Sequence, residues 1–202
     1  MRSRAAAAAL TGAGFKEVYS MEGGIHAWKG LKAEGAPESG MLYFSTATRP
    51  EELINLAWLL EDGSHKFYSE MAQTSEDREA KDLFEWLAAA EKRHKASLVE
   101  LHNEFSGVVS DQGFPRSVIS PESENDVMEG GMRVSDALKW AKGKKMTDIL
   151  ELSLSLETNS YDLYLKMERQ MEDQRSEKIF RLLSTEEKEH LKRLSSFLEK
   201  RI

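Results

Sequence analysis

Two short stretches of this chain place a carboxylate and an imidazole three residues apart: Glu91-Lys92-Arg93-His94 and Glu187-Lys188-Glu189-His190. Residues three apart on a helix share a face, one turn apart, so each pair can grip one ion. Each pair also follows a lone glutamate at the same distance, 30 residues from Glu61 to Glu91 and 30 from Glu157 to Glu187. Oxygen donors mixed with imidazole suit iron or manganese. Calcium takes oxygen alone, and structural zinc is usually held by thiolates. Four carboxylates buried together without counter-ions are costly, whereas two divalent cations bring them to formal neutrality. The expected ligands are therefore Glu61, Glu91, His94, Glu157, Glu187 and His190, holding two ions per chain.

Positioning them requires a repeat. Residues 51–101 and the same stretch 96 positions later share 14 identities without a gap, where unrelated sequences of ordinary composition share roughly three. The kept residues include Leu60, Glu61, Ser64, Tyr68, Glu76, Asp77, Phe84, Glu91 and His94 against Leu156, Glu157, Ser160, Tyr164, Glu172, Asp173, Phe180, Glu187 and His190. A solvated face would not keep Glu, Glu and His while its neighbours diverge, as Arg93 does from Glu189 and Ala90 from Glu186. Each half is thus expected to be one helix pair.

The 3.6-residue period predicts the helices. Thr48-Arg49-Pro50-Glu51 is a start signal, with a Thr cap and proline in the first turn. Leu53, Ala57, Leu60, Ser64, Tyr68 and Met71 follow one face. A second helix is expected over about residues 75–105, with Leu83, Phe84, Leu87, Ala88, Leu98 and Leu101 inward. A third begins at Thr147-Asp148, with Ile149, Leu152, Leu156, Tyr164 and Met167 inward. A fourth starts near Ser176, with Ile179, Phe180, Leu183, Leu194 and Leu198 inward. The halves are joined by about forty residues, 106–146, containing Pro115, Pro121, Gly130-Gly131 and a short helical run over 135–142. That length suits a crossover travelling along the bundle rather than a tight turn.

Residues 48–200 resemble the rubrerythrin-like branch of the ferritin-like superfamily, on Glu61 with Phe67-Tyr68, Glu91-x-x-His94, Glu157 with Leu163-Tyr164, and Glu187-x-x-His190. The resemblance implies an all-α, ferritin-like four-helix bundle over residues 41–202, with two iron ions per chain and manganese or zinc as alternatives. It implies a non-haem di-iron centre that reacts with hydrogen peroxide or dioxygen. It casts Glu91 and Glu187 as bridging carboxylates and Glu61 and Glu157 as terminal ones. Tyr68 and Tyr164 lie two turns beyond those terminal glutamates, where their hydroxyls can bond to the carboxylates or simply pack. Two departures stand out. Rubrerythrins proper carry a further glutamate one turn after the third-helix ligand, where this chain has Ser160. They also carry a Cys-ligated iron domain for electron entry, and this chain has no cysteine. Electrons are therefore expected from a separate donor protein.

Residues 1–40 differ in character, holding seven of the thirteen glycines. They read as a short α/β appendage and linker, too small for a core of its own. Arg2-Ser3-Arg4-Ala5-Ala6, Leu10, Gly14-Phe15, Val18, Gly23-Gly24 and Trp28 resemble the C-terminal end of a rhodanese-like domain over about residues 2–33. The catalytic cysteine of that family would precede Met1, so no sulfurtransferase activity is expected, and the start of the reading frame can lie further upstream. His26 there reads as a packing or surface residue.

The remaining signals are negative. A net charge of −7 argues against a sequence-independent nucleic-acid binder. The absence of cysteine excludes disulfides and thiolate chemistry and fits a cytoplasmic protein. The uncharged run 5–15 is too short to span a bilayer, so no membrane association is expected. His65 and His102 read as packing or surface residues, with His65 a minor candidate ligand. Trp58, Trp86 and Trp140 read as core or interface anchors. Of Glu186-Glu187-Lys188-Glu189, only Glu187 is expected inward. A homodimer is the default assembly.

Overall fold

A computed structural model describes Lys16 and residues 50–106 and 127–201 of the protein. The rhodanese-like reading, the appendage and its boundary near residue 40, Thr48 and most of the first part of the crossover lie outside the described residues. What is described is helical: α1 Pro50–Thr74, α2 Arg78–Ser106, a 3₁₀ turn Glu129–Gly131, α3 Val134–Ala141, α4 Met146–Gln170 and α5 Gln174–Glu199. The expected four long helices and the short crossover helix are all present, with starts shifted by one to three residues. Among the described residues the sole strand-like pairing is an isolated antiparallel bridge, Val127 to Arg133. No described helix is long and apolar enough to cross a membrane.

The shift at the start of α2 has a local cause. Asp77 Oδ1 accepts a hydrogen bond from the Ala80 amide at 3.1 Å, so Asp77 is the N-cap and the helix begins after it. The same device recurs 96 residues later, where Asp173 Oδ1 accepts from the Ser176 amide at 2.8 Å. The kept pair Asp77 and Asp173 is therefore a structural part of the repeat.

The helix faces are as the period predicts. Leu53, Ala57, Leu60, Tyr68, Met71, Phe84, Leu87, Leu98, Leu156, Tyr164, Phe180, Leu183 and Leu194 are all buried. Leu152, Ile179 and Leu198 are only partly buried and pack on the rim of the core. The core falls into two apolar clusters. One joins the second half of α1, the first half of α2, the start of α4 and Leu194 of α5, together with Met128, Val134 and Ala137 of the crossover. The other joins the start of α1, Leu98 and Leu101 of α2, Leu163 to Met167 of α4, and Phe180 and Leu183 of α5. On every long helix the candidate ligands fall between these clusters, so a polar layer lies at mid-height between two apolar plugs. The same pattern shows that α2 ends in the second cluster while α4 begins in the first. The crossover has to travel the length of the bundle, as its length predicts.

Candidate metal centre

Each helix delivers its donors at the turn between its two apolar halves. Glu61, Glu91, Glu157 and Glu187 are fully buried, and His94 and His190 are about 1% exposed. All six expected residues thus leave solvent together. They form two groups whose ligand-capable atoms lie within 4.8 Å of one another: Glu61, Glu91, His94 and Glu187, and Glu91, Glu157 and His190.

The imidazole Nδ1 atoms define the geometry. His94 Nδ1 lies 3.1 Å from Glu61 Oε2, 3.1 Å from Glu91 Oε2 and 3.2 Å from Glu187 Oε1. His190 Nδ1 lies 2.9 Å from Glu157 Oε2, 3.2 Å from Glu187 Oε2 and 3.7 Å from Glu91 Oε1. Glu91 and Glu187 therefore face both histidines, while Glu61 faces only His94 and Glu157 only His190. A single N–H can point at one oxygen. Both oxygens of Glu91 and Oε1 of Glu187 are accordingly left without a hydrogen-bond partner. Buried unpaired carboxylate oxygens are expensive, and a cation placed among them would satisfy several at once. The residues present fit a pair of hard divalent ions.

Electrostatics separates the glutamates into two classes. Burial alone pushes the Glu157 carboxyl up, but the facing charge and hydrogen bond of His190 outweigh it and hold the group down to about 2. Glu61 is likewise held below its ordinary range, burial being overcome by the charge and hydrogen bond of His94. Glu91 goes the other way, raised well above the ordinary range by burial and then by the Glu61 charge. Glu187 is raised by burial and the Glu157 charge. Burial works against the charge on His94, but Glu61 and its hydrogen-bond partners more than reverse it and push the ring well up. His190 is raised too, as the Glu157 charge overcomes burial. In the metal-free chain, protons thus occupy the space that cations would neutralise.

Tyr68 and Tyr164 both reach the site, and they do so crosswise. Tyr68 donates its hydroxyl proton to Glu157 Oε1, in the opposite hairpin, and Tyr164 donates to Glu61 Oε1. Burial, followed by the charges of those same glutamates, pushes both phenols well above their ordinary range, so they remain donors. The sequence placed these tyrosines two turns beyond the lone glutamates but did not reveal which glutamate each would reach.

One expectation is corrected, and the other side chains singled out in the sequence acquire definite surroundings. Glu186, read as part of a solvated face, turns back to His94 Nε2 at 2.6 Å. Its repeat partner is Ala90, so no sequence symmetry advertised the role. His65 is half-buried and belongs to neither ligand group; burial, then the charge of Lys95, pushes its ring below the ordinary range. His102 is buried and belongs to neither ligand group. Trp86 is partly buried against the first apolar cluster. Its ring meets His190 edge-on at 5.2 Å and carries the Arg193 guanidinium at 4.3 Å. Trp140 is 40% exposed, with the Lys144 ammonium 5.3 Å from its ring. One carboxylate escaped the sequence reading entirely: Glu129 of the crossover, 1% exposed and bonded by Ser64. Nothing in its local sequence marks it, because it lies outside the repeat.

Comparison with known proteins agrees with this architecture. No curated protein matches the chain. A solved structure, a hypothetical protein from Pyrococcus furiosus, superposes with a TM-score of 0.59 at 23% identity, covering 82% of this chain and 95% of that one. That likeness speaks for the fold. The Rubrerythrin family matches residues 51–142 and 148–201, which take in all but the first one or two residues of the long helices and every candidate helix-borne ligand, and the chain belongs to that family of ferritin-like di-iron carboxylate proteins.

Proposed function

We propose that this chain is a di-iron oxidoreductase that reduces hydrogen peroxide or dioxygen with electrons from a separate donor protein. The observation that carries the reading is the pairing of Glu91 and Glu187 with both histidines, against Glu61 and Glu157 with one each. Glu61 and His94 would hold one ion and Glu157 and His190 the other, with Glu91 and Glu187 shared. When bound, a ferrous pair supplies two electrons, which with two protons convert one hydrogen peroxide to two waters.

The chain's own residues set the conditions. Glu186 accepts the Nε2 proton of His94, which fixes the tautomer and leaves Nδ1 for the ion. Tyr68 and Tyr164 orient the terminal carboxylates and keep two phenolic protons beside the site. The apolar clusters on either side exclude bulk water and strengthen every charge interaction between them. The chain has no cysteine, so no thiolate of its own can relay electrons, and an external donor is required for turnover.

The test is elemental analysis followed by rapid mixing of the ferrous protein with peroxide. Two irons per chain, oxidised by stoichiometric peroxide much faster than by buffer alone, are expected. Two irons without such oxidation would instead identify an iron-binding protein without turnover. Fewer than two would leave the bundle a scaffold and end the reading.

A further inference from the structure

A fifth buried carboxylate stands beside the centre, outside its two ligand groups, and no helix of the repeat carries it. Glu129 lies in the 3₁₀ turn Glu129–Gly131 of the crossover and is 1% exposed. Its Oε2 accepts a hydrogen bond from Ser64 Oγ at 2.9 Å, while its Oε1 has no hydrogen-bond partner. The Ser160 hydroxyl donates instead to Leu156 O at 3.4 Å. Ser64 and Ser160 are repeat partners, each standing three residues beyond a lone glutamate, Glu61 or Glu157. They therefore occupy the next turn on the same inward faces. The turn that carries Glu129 fits against both halves, with Val127 and Met128 at Gly63 of α1 and Gly130 at Leu156 and Asn159 of α4, and its carboxyl, held by Ser64, lies within the electrostatic reach of Glu61, Glu187 and Glu157.

The crossover is built to hold it there. The Val127–Arg133 bridge closes a tight loop, in which the Met128 amide donates to Met132 O at 2.9 Å and the Gly131 amide to Met128 O at 3.0 Å. Met128 is fully buried in the first apolar cluster. The loop presses on α1 at Gly63, where a Cβ would stand 2.3 Å from Val127 O. If Glu129 served only to bond the Ser64 hydroxyl, a neutral amide would do so without bringing another potential anion towards four carboxylates. A carboxylate in this place is favourable when cations are present.

We propose that Glu129 is a further metal ligand of the centre, a carboxylate carried by the crossover that joins the ions through the oxygen left unpartnered in the free chain. This rests on the di-iron reading above. A fifth carboxylate also shifts the charge balance: four glutamates neutralise two divalent ions, and the fifth offsets one of the charges gained when the ions become trivalent.

The test is Glu129→Gln, which keeps the shape and the bond to Ser64. Manganous ion is titrated calorimetrically into wild type and variant, and the absorption bands of cobaltous ion report coordination number. The variant is expected to bind manganese at least about tenfold more weakly, comparable to the loss of a tuning group at other metal sites. Its cobalt bands should be stronger, as for a lower coordination number, and its metal-free melting temperature should not fall. Unchanged manganese affinity together with an unchanged cobalt spectrum overturns the proposal. A lowered metal-free melting temperature with wild-type affinity does so as well, and makes Glu129 a loop anchor. Should Glu129→Gln fail to fold, Glu129→Asp keeps the charge on a shorter stem and is expected to bind both ions more weakly than wild type; wild-type affinity there also overturns it. Wild-type protein that does not take two manganese ions per chain refutes the underlying di-iron reading, which the variants alone do not.

Discussion

At the scale of single residues, the four helix-borne glutamates are not equivalent. Glu61 and Glu157 are paired anions, while Glu91 and Glu187 are raised by burial and by the charges of Glu61 and Glu157. Replacing Glu91 and Glu187 together with Gln removes that repulsion without changing shape. The metal-free variant should melt higher than wild type at pH 7, by roughly 2–4 °C for each 1 kcal/mol relieved, and should gain nothing from ferrous ion. Calorimetry with and without metal checks both halves of the expectation. The tyrosines supply a second case. Tyr68→Phe leaves Glu157 Oε1 buried without its donor, at a cost of about 1–3 kcal/mol. Because the bond crosses between hairpins, the variant should weaken binding at the ion held by Glu157 and His190 more than at the other. Tyr164→Phe should show the reverse. Stepwise manganese titrations resolve the two.

At the scale of elements, the repeat is held in register by parts that do no chemistry. Asp77 and Asp173 cap the second helix of each hairpin. Asp77→Ala or Asp173→Ala should each lower stability by about 1 kcal/mol, measured as a shift in the denaturation midpoint with metal stoichiometry unchanged. The crossover depends on a close approach instead. Gly63→Ala would drive a Cβ into the backbone at Val127 and Met128, and neither can yield as a flexible side chain would. A loss of about 1–3 kcal/mol is expected. Gly130 sits at a φ of +74°, where a Cβ would also meet Asn159 Nδ2 at 2.6 Å. Gly130→Ala should therefore strain the same loop, and thermal melts of both variants test whether the crossover is as tightly fitted as its packing implies.

At the scale of the whole molecule, metal and protons compete for one buried site. Glu91, Glu187 and Glu129 carry carboxyls raised above their unfolded values, first by burial. Between the unfolded value of about 4.3 and those raised values the native chain holds protons that the unfolded chain has released. Metal-free stability therefore falls as pH rises through that window. His94 and His190 are raised also, and their contribution is present below about 6.5 and is lost as pH rises through their native values. Glu157 acts at the acid end, with stability present above about 4.3 and lost as pH falls towards its native value of about 2. Metal replaces the protons, so its affinity rises with pH. A thousandfold excess over Kd stabilises the native state by about 4 kcal/mol. The holo form should melt higher than the apo form, with a gap that widens from pH 5 to pH 7. Equal melting temperatures across that range would show that these carboxylates do not converge on a metal pair.

Much of this was written in one dimension. Helix periodicity placed Leu60, Tyr68, Phe84 and Leu183 inward, because a buried stripe needs only a local repeat of 3.6 residues. The offset of 96 brought Glu61, Glu91 and His94 into correspondence with Glu157, Glu187 and His190, because a duplicated hairpin repeats its geometry with its sequence. Contacts between the halves had no such local signal. That Tyr68 serves Glu157 and Tyr164 serves Glu61, that Glu186 turns inward to His94, and that Glu129 arrives from the crossover to Ser64 all depend on how the hairpins face each other and where the connection passes. Those are distances between residues far apart in the chain, which periodicity cannot encode and which only the packed bundle decides.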